Sequence, residues 1–274
     1  MLHHTTLSSG ARYVAIHYTA DEEKDSEWAR AHSAGVPVRE WEREMEMRQD
    51  VYDGEAVYAD YLDSLHSVNG LRCTGKGEMI GGWDCGQTLR PAFVLLHVEK
   101  ESVECCLEVV ALTPMAMQTF APLVAERLQM WALSQRLELW PGRVRHHGDA
   151  TVVARSGSTG ESAASVARTL GFAIQPVTND WDARYSAVAW LLAERREDRG
   201  LFRLCRERCP ILREGFKGAY QFQVPRGFDQ SGPGRVLRMP LKNSYSHPQD
   251  ALQYAAIVAK RLVDGVGVKV GRYR

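Results

Sequence analysis

The chain has 274 residues, of which 45% are hydrophobic and 25% charged. This balance is typical of a globular protein with one large domain or two small ones. Its 34 basic and 34 acidic residues cancel, so no overall field attracts nucleic acid, and a DNA-binding surface would have to be local. The N-terminus has no basic segment followed by an apolar core, and no apolar run approaches the length of a membrane span. These features argue against a secretory signal and against a membrane segment.

The first 70 residues differ from the rest of the chain. Residues 11–18 are rich in aromatic and branched side chains and predict a β-strand, whereas 27–32 and 38–47 predict helices. A single strand beside two polar helices cannot form a sheet of its own. We therefore expect residues 1–70 to be a partly helical N-terminal segment that depends on other structure.

From about Gly77 the hydrophobic pattern becomes regular. Residues 79–84, 92–98 and 105–112 predict three strands of an antiparallel meander, because turn-forming or charged residues separate them. Helices are then predicted over 116–135, 162–170, 182–196 and 248–263, strands over 143–149 and 172–177, and loops at 156–160 and 229–234. This order predicts an α/β fold in which helices flank a mixed sheet.

The cysteines favour buried thiols over a zinc knuckle. None of the six forms a Cys-x-x-Cys pair, and Cys205 and Cys209 stand four apart with no second pair at zinc-binding spacing. Scattered buried thiols in a reducing compartment explain this usage better.

Three aspartates stand where a divalent-metal site could form. Asp84 lies late in a predicted strand beside Gly82, Asp149 follows Gly148 at the end of another, and Asp250 lies in the first turn of the last helix. Each also has an ordinary interpretation, as a turn residue, a cap or an acid at a helix N-terminus. One sheet edge could nevertheless gather all three, and an anionic oxygen cage suits Mg²⁺ or Mn²⁺. Two such ions about 4 Å apart can cleave a phosphodiester.

Other signals are weaker. Residues 70–76 resemble a phosphate-binding loop, but Gly77 replaces the Ser or Thr that would hold Mg²⁺. His146 and His147 point to opposite faces of a strand, so at most one could face the aspartates. Basic residues gather at 195–208 and 235–274; each group is either a solvated face or a groove that contacts the phosphate backbone without reading bases.

Several short stretches together resemble a known family. They are residues 83–86, 148–149 with 155–156, 170–172, Asn179 with Arg184, and, most specifically, 242–247 leading into 250–254. These stretches resemble the C-terminal nuclease portion of the large terminases of tailed phages, the motor subunits that package DNA. The resemblance covers about residues 12–263, and residues 14–21 resemble the stretch that follows the ATPase domain.

The resemblance implies an RNase H-like nuclease domain over residues 71–274, preceded by a segment, 1–70, like the end of the ATPase domain or its linker. It implies a metal-dependent endonuclease that cuts concatemeric double-stranded phage DNA in the host cytoplasm, with a terminase ATPase or motor subunit, the small terminase and the portal as partners. Asp84, Asp149 and Asp250 match the family's ligands for two Mg²⁺ or Mn²⁺ ions. The supporting and DNA-contacting candidates are His247, Arg184, Arg195, Arg196, Arg199 and Lys242.

Two features depart from the family pattern. Ala150 follows Asp149 where the family often has proline, and no Walker-type ATPase motif precedes the nuclease portion, so ATP-driven translocation is not expected of this chain. A non-catalytic module that binds DNA or a motor protein, from a split or degenerate terminase, is therefore the main alternative. Another RNase H-like enzyme, such as a resolvase or transposase, fits residues 247–254 less well.

Overall fold

The computed structural model describes residues 2–6, 12–16, 24, 26–33, 55–85, 90–137, 143–154, 161–196, 199–223 and 239–265. The predicted helix 38–47 and the predicted loops 156–160 and 229–234 lie outside these ranges. The chain divides into two compact units, Met1–Gly54 and Glu55–Arg274.

The first unit contains a β-hairpin. Strands β1 (Leu2–Thr6) and β2 (Arg12–Ile16) pair antiparallel, with His4 opposite Val14. The expectation of a lone strand is therefore wrong: the short first segment ends in two threonines, whose branched side chains favour extended backbone. Helix α1 (Ser26–Ser33) agrees with the helix expected at 27–32. The likeness of this region to the end of an ATPase domain remains a prediction.

The second unit is built on a mixed sheet. Its helices and strands in chain order are α2 (Asp63–His66), β3 (Ser67–Val68), β4 (Glu78–Asp84), β5 (Ala92–Glu99), β6 (Ser102–Val110), α3 (Met117–Gln135), β7 (Arg145–Gly148), α4 (Ala163–Arg168), β8 (Gln175–Pro176), α5 (Trp181–Ala193), β9 (Arg195–Arg196), β10 (Arg199–Gly200), β11 (Phe202–Cys205), α6 (Pro210–Glu214) and α7 (Ser246–Val263). A 3₁₀ turn covers Ala150–Val153, and a π-type turn covers Gly215–Ala219.

The strand order across the main sheet is β3-β11-β6-β5-β4-β7-β8. Strands β4, β5 and β6 form the expected antiparallel meander. On one side β11 and β3 add parallel to β6, and on the other β7 and β8 add parallel to β4. The predicted α/β class, with a mixed sheet flanked by helices, is confirmed.

Both faces of the central strands are buried. On one face Ile80 and Val94 pack in a core with α5 and α7, and on the other Trp83 and Phe93 pack in a core with α3 and α4. A strand covered on both faces reads as a continuous apolar run, which is why β5 has no polar alternation. In the text below, the two sides of the sheet are called the α7 face and the α3 face.

Residues 55–70 belong to the second unit, although the sequence groups them with the N-terminal segment. Val57 and Tyr58 are buried in the core of the α7 face, and β3 pairs with β11. Gln253 of α7 donates hydrogen bonds to the hydroxyls of Tyr58 (3.0 Å) and Tyr220 (3.3 Å). Within the described ranges, no helix is long and apolar enough to cross a membrane.

The buried His66 at the end of α2 predicts a stability that depends on pH. Its Nδ1 accepts from the Leu62 backbone N–H (2.9 Å) and its Nε2 donates to the Leu192 carbonyl (3.1 Å), which fixes the neutral ring. Burial lowers the pKa of His66, and Arg195 adds to the lowering. As the pH falls below the unfolded-state pKa of about 6.5, the unfolded chain binds this proton and the folded chain resists it, so stability is lost.

The check is urea unfolding of the wild type and of His66→Gln at about pH 7.5 and about pH 5.5. The variant is expected to be less stable at the higher pH, by about 1 kcal/mol for a lost hydrogen bond. This difference should shrink at the lower pH, because only the wild type bears the cost of keeping His66 neutral. The matched control is His32→Gln, at an exposed histidine. An equal pH response in the wild type and His66→Gln would contradict the assignment.

Candidate metal centre

The sheet places Asp84 and Asp149 side by side. In the parallel pairing of β4 with β7, Trp83 lies opposite Gly148, so the two aspartates follow at the next position of neighbouring strands. Adjacent strands are about 4.8 Å apart. Side chains alternate between the two faces of a strand. Because Trp83 is buried on the α3 face, Asp84 lies on the α7 face. Gly148 lies opposite Trp83, so the same alternation directs Asp149 to the α7 face.

Helix α7 brings the third carboxylate to this face because it packs directly on β4. A Cβ atom on Gly82 would lie 2.0 Å from the Ala251 carbonyl oxygen, so only glycine permits this approach. Asp250 precedes Ala251 and is 5% exposed. Two strand ends and one helix therefore gather the three predicted aspartates at one end of the sheet.

Asp250 is held by two cations. Its Oδ1 accepts from Arg184 Nη1 of α5 (3.2 Å), and its Oδ2 accepts from Lys242 Nζ (2.6 Å). Arg184 also donates to the Tyr254 hydroxyl (3.2 Å), and its guanidinium lies 5.0 Å from the centre of that ring. A buried carboxylate needs such partners, because a lone charge in the interior is strongly unfavourable.

Asp84 is held by the same helix that carries Asp250. Its Oδ2 lies 2.8 Å from His247 Nδ1 in the first turn of α7. The resemblance made His247 a supporting candidate, and the structure places its ring against the strand carboxylate. His247 thereby links the strand end to the first turn of α7.

Asp149 has a local partner. Its side chain caps the 3₁₀ turn Ala150–Val153, accepting from the Thr151 backbone N–H at 2.7 Å. The capping interpretation made from sequence thus applies. The carboxylate nevertheless lies close enough to α7 to add to the rise that burial causes in the pKa of Tyr254.

The three carboxylates do not converge on a single point. In the described part of the chain, the three residues whose ligand atoms lie within 4.8 Å of one another are Cys73, His97 and Glu104, not the aspartates. One ion with bonds of about 2.1 Å joins atoms no more than about 4.2 Å apart, so this arrangement does not place all three on one ion. Two ions about 4 Å apart would span a wider set.

The donor chemistry nevertheless fits divalent cations. All three side chains offer carboxylate oxygens, the ligands that Mg²⁺ and Mn²⁺ prefer. The Lys242 ammonium, whose side chain is 62% exposed, stands against the buried Asp250 as a cation would. A hard cation reaching this position would exchange with an ammonium that is already open to solvent.

Neighbouring pKa values show that the site is a concentration of negative charge. Burial raises the pKa of Asp250; the Lys242 ammonium lowers it and the Asp84 carboxylate raises it further. Burial also raises the pKa of Tyr254, with all three aspartates adding to the rise. The pKa of the Cys85 thiol is also raised, first by burial and then by the carboxylates of Asp84 and Asp149. Such a field attracts cations.

The structure separates the predicted DNA-contacting arginines from this site. Arg195 and Arg199 are exposed in the short β9–β10 hairpin beyond the end of α5. Arg196 is paired with Glu194 (3.0 Å) and Glu101 (3.2 Å). Arg184 lies one turn into α5, so the hairpin begins roughly 15 Å further along that helix. Of the predicted basic candidates, Arg184 and Lys242 lie at the aspartates, and the three arginines do not.

Tyr254 was not singled out from the sequence. Its spacing is the only available signal: it lies one turn after Asp250, which puts both on one face of α7. The two histidines of β7 behave as alternation requires. His146 packs against Trp83, accepting from the indole N–H at 3.0 Å. His147 lies on the α7 face, where burial lowers its pKa to about 4.

Known proteins resemble this chain in structure rather than in sequence. No protein-family model matches it, and no curated protein matches it significantly. The large terminase of a thermophilic bacteriophage, solved with ATP-γ-S, aligns over 87% of this chain and 54% of its own, with a TM-score of 0.53 and 13% identity. The nuclease domain of the P22 large terminase aligns over 78% of this chain and 97% of its own, with a TM-score of 0.50 and 14% identity.

The chain thus spans about half the length of the thermophilic-phage large terminase that it matches. At these identities the similarity concerns the fold, and it agrees with the sheet order and flanking helices described above. The second unit of this chain has the RNase H-like fold of a large-terminase nuclease domain.

Proposed function

We propose that this chain is a divalent-metal-dependent endonuclease of phage DNA packaging that cleaves double-stranded DNA. The observation that carries the proposal is the meeting of Asp84, Asp149 and Asp250 at one end of an RNase H-like sheet. A phosphodiester is itself anionic, so a cluster of carboxylates suits DNA cleavage only if cations stand between the two.

In this proposal each aspartate has a distinct role. Asp84, Asp149 and Asp250 would together hold two Mg²⁺ or Mn²⁺ ions, with Asp84, between the other two, contributing to both; this is compatible with three carboxylates that do not share a single point. The bound ions would activate water and stabilise the departing 3′ oxygen. His247 orients Asp84, and Arg184 with Tyr254 keeps Asp250 in place.

Lys242 neutralises Asp250 when no ion is bound. An ion that displaced the ammonium from Asp250 would leave it free to meet a DNA phosphate. The partners would be double-stranded DNA and, by likeness to the two phage proteins above, a terminase motor. The same proposal includes the small terminase and the portal as further partners and a place in the host cytoplasm. It also includes a domain boundary at about residue 54 or residue 70.

The direct experiment incubates the full chain with supercoiled plasmid and Mn²⁺. We expect nicked and linear DNA to appear with Mn²⁺ or Mg²⁺ and to be absent when a chelator is added. A preparation that leaves plasmid intact at every divalent-metal concentration, while folded by circular dichroism, would contradict the proposal.

One observation favours a second function, a non-catalytic module that binds DNA or a motor. Both oxygens of Asp250 are already engaged by cations of the chain itself. A module of this kind should show no saturable Mn²⁺ binding that depends on the aspartates. Calorimetric titration of the wild type with Mn²⁺ separates the two functions, since the nuclease requires such binding.

A further inference from the structure

A second cluster of metal-ligand side chains lies away from the aspartates. Cys73 precedes β4, His97 lies on β5 and Glu104 on β6, where the last two face each other across the strands. Their ligand atoms lie within 4.8 Å of one another, and the side chains of His97 and Glu104 are almost fully buried. This is a different chemistry from the carboxylate site, because it includes a thiol and an imidazole.

The cluster occupies the α3 face, opposite the aspartates. Cys73 and Cys106 belong to the core on that face. Strand β5 begins at Ala92, which pairs with Asp84, whereas His97 lies near the other end of the strand. The cluster and the aspartates therefore lie on opposite faces and at opposite ends of the sheet, so ligands at the two places would bind independently.

The histidine is oriented for coordination through Nδ1. Its Nε2 contacts the Lys76 carbonyl, which can accept only an N–H, so in the neutral ring the lone pair is on Nδ1. Nδ1 lies 3.4 Å from Glu104 Oε2. Nitrogen and oxygen ligands at tetrahedral angles on one zinc ion would be about 3.3 Å apart.

The carboxylate is oriented too. Arg203 of β11 lies opposite Glu104 in the parallel pairing, and its guanidinium binds Oε1, leaving Oε2 toward the histidine. Metal ligands held in this way by a backbone carbonyl and a charged partner are typical of built sites.

A second thiol, that of Cys106, lies beside Cys73. Cys106 Sγ lies 3.0 Å from Cys73 Sγ, at a β-bulge where the register between β5 and β6 shifts. Cys106 Sγ also lies 3.2 Å from the Glu104 carbonyl oxygen, so this side chain packs against the cluster.

We propose that Cys73, His97 and Glu104 form a zinc site that ties the loop before β4 to strands β5 and β6. Zinc is the ion that this mixture of sulfur, nitrogen and oxygen donors selects, since Mg²⁺ and Mn²⁺ prefer oxygen alone.

The test measures zinc binding by the full chain, stripped of metal under reducing conditions, in competition with a chromophoric chelator. We expect about one tightly bound zinc per chain, with Cys73→Ser weakening binding by on the order of a hundredfold or more and Arg203→Ala by about tenfold. The matched control is Cys209→Ser, because Cys209 also faces a buried thiol, Cys105 at 3.6 Å, but on the α7 face. Asp84→Asn should retain the zinc.

Cobalt substitution of the wild type gives a readout that does not depend on any variant folding. A thiolate-bound Co²⁺ shows sulfur-to-metal charge-transfer absorption, which carboxylates alone do not give. Absence of this band, or zinc that is lost from Asp84→Asn but kept by Cys73→Ser, would overturn the zinc site. Neither result bears on the nuclease proposal, whose own readout is plasmid cleavage with Mn²⁺.

Discussion

Replacing Asp84 with asparagine is expected to reduce Mn²⁺-dependent plasmid cleavage by on the order of a thousandfold, the scale on which loss of preorganised charge stabilisation lowers rates. The amide keeps the size of the side chain but loses its charge and one of its acceptor oxygens, so it cannot bridge two cations. Rates of plasmid nicking at saturating Mn²⁺ give the measurement.

The same substitution should leave the fold intact. Asp84 raises the pKa of the buried Asp250, so its removal relieves repulsion and offsets the lost contact with His247. The free energy of unfolding should therefore stay within about 1 kcal/mol of the wild type. Asp264→Asn, an exposed aspartate just past the far end of α7, is the matched control and should cleave normally. Wild-type rates in Asp84→Asn would eliminate the assigned role.

Adding one methyl group at Gly82 is expected to destabilise the second unit by about 3 kcal/mol or more. The new Cβ would stand 2.0 Å from the Ala251 carbonyl oxygen, which belongs to helix backbone and cannot rotate away. Helix α7 must then move off β4, and Asp250 moves with it. We expect urea unfolding at lower denaturant concentrations and a loss of cleavage at temperatures where the variant remains folded.

Gly200→Ala provides the contrast for this prediction. There the nearest atom to a new Cβ is Cδ2 of the His66 side chain at 3.1 Å, so the expected cost is about 1 kcal/mol or less. Equal unfolding midpoints for the two variants would show that the close packing of α7 on β4 does not limit stability.

The sequence predicts the central part of this fold because its signals are local. Strand β5 is a continuous apolar run and α7 repeats apolar residues at helical spacing, so each was placed within about two residues of its observed bounds. The same local signals put the three aspartates at strand ends and in a helix turn. The three aspartates come together because β4 pairs with β7. The order of the predicted elements is compatible with this pairing but does not specify it.

The parts that were missed depend on distant partners. Strand β11 lies in the basic stretch 195–208, where the hydrophobic pattern predicts no strand. It forms because it pairs with β6, which puts Arg203 opposite Glu104. Helix α5 ends at Ala193 rather than at 196 because the next residues turn into the β9–β10 hairpin. The zinc ligands gave no spacing signal, since Cys73, His97 and Glu104 come from a loop and two strands.

The pairing of an exposed lysine with a deeply buried acid has a wider consequence. Lys242 is 62% exposed and Asp250 is 7% exposed in their side chains, so one partner can leave while the other stays. The chain supplies its own counter-charge, and helix α7 can therefore fold before any ion arrives. If the proposed nuclease function holds, the supply of Mg²⁺ or Mn²⁺ would govern DNA cleavage without governing the stability of helix α7.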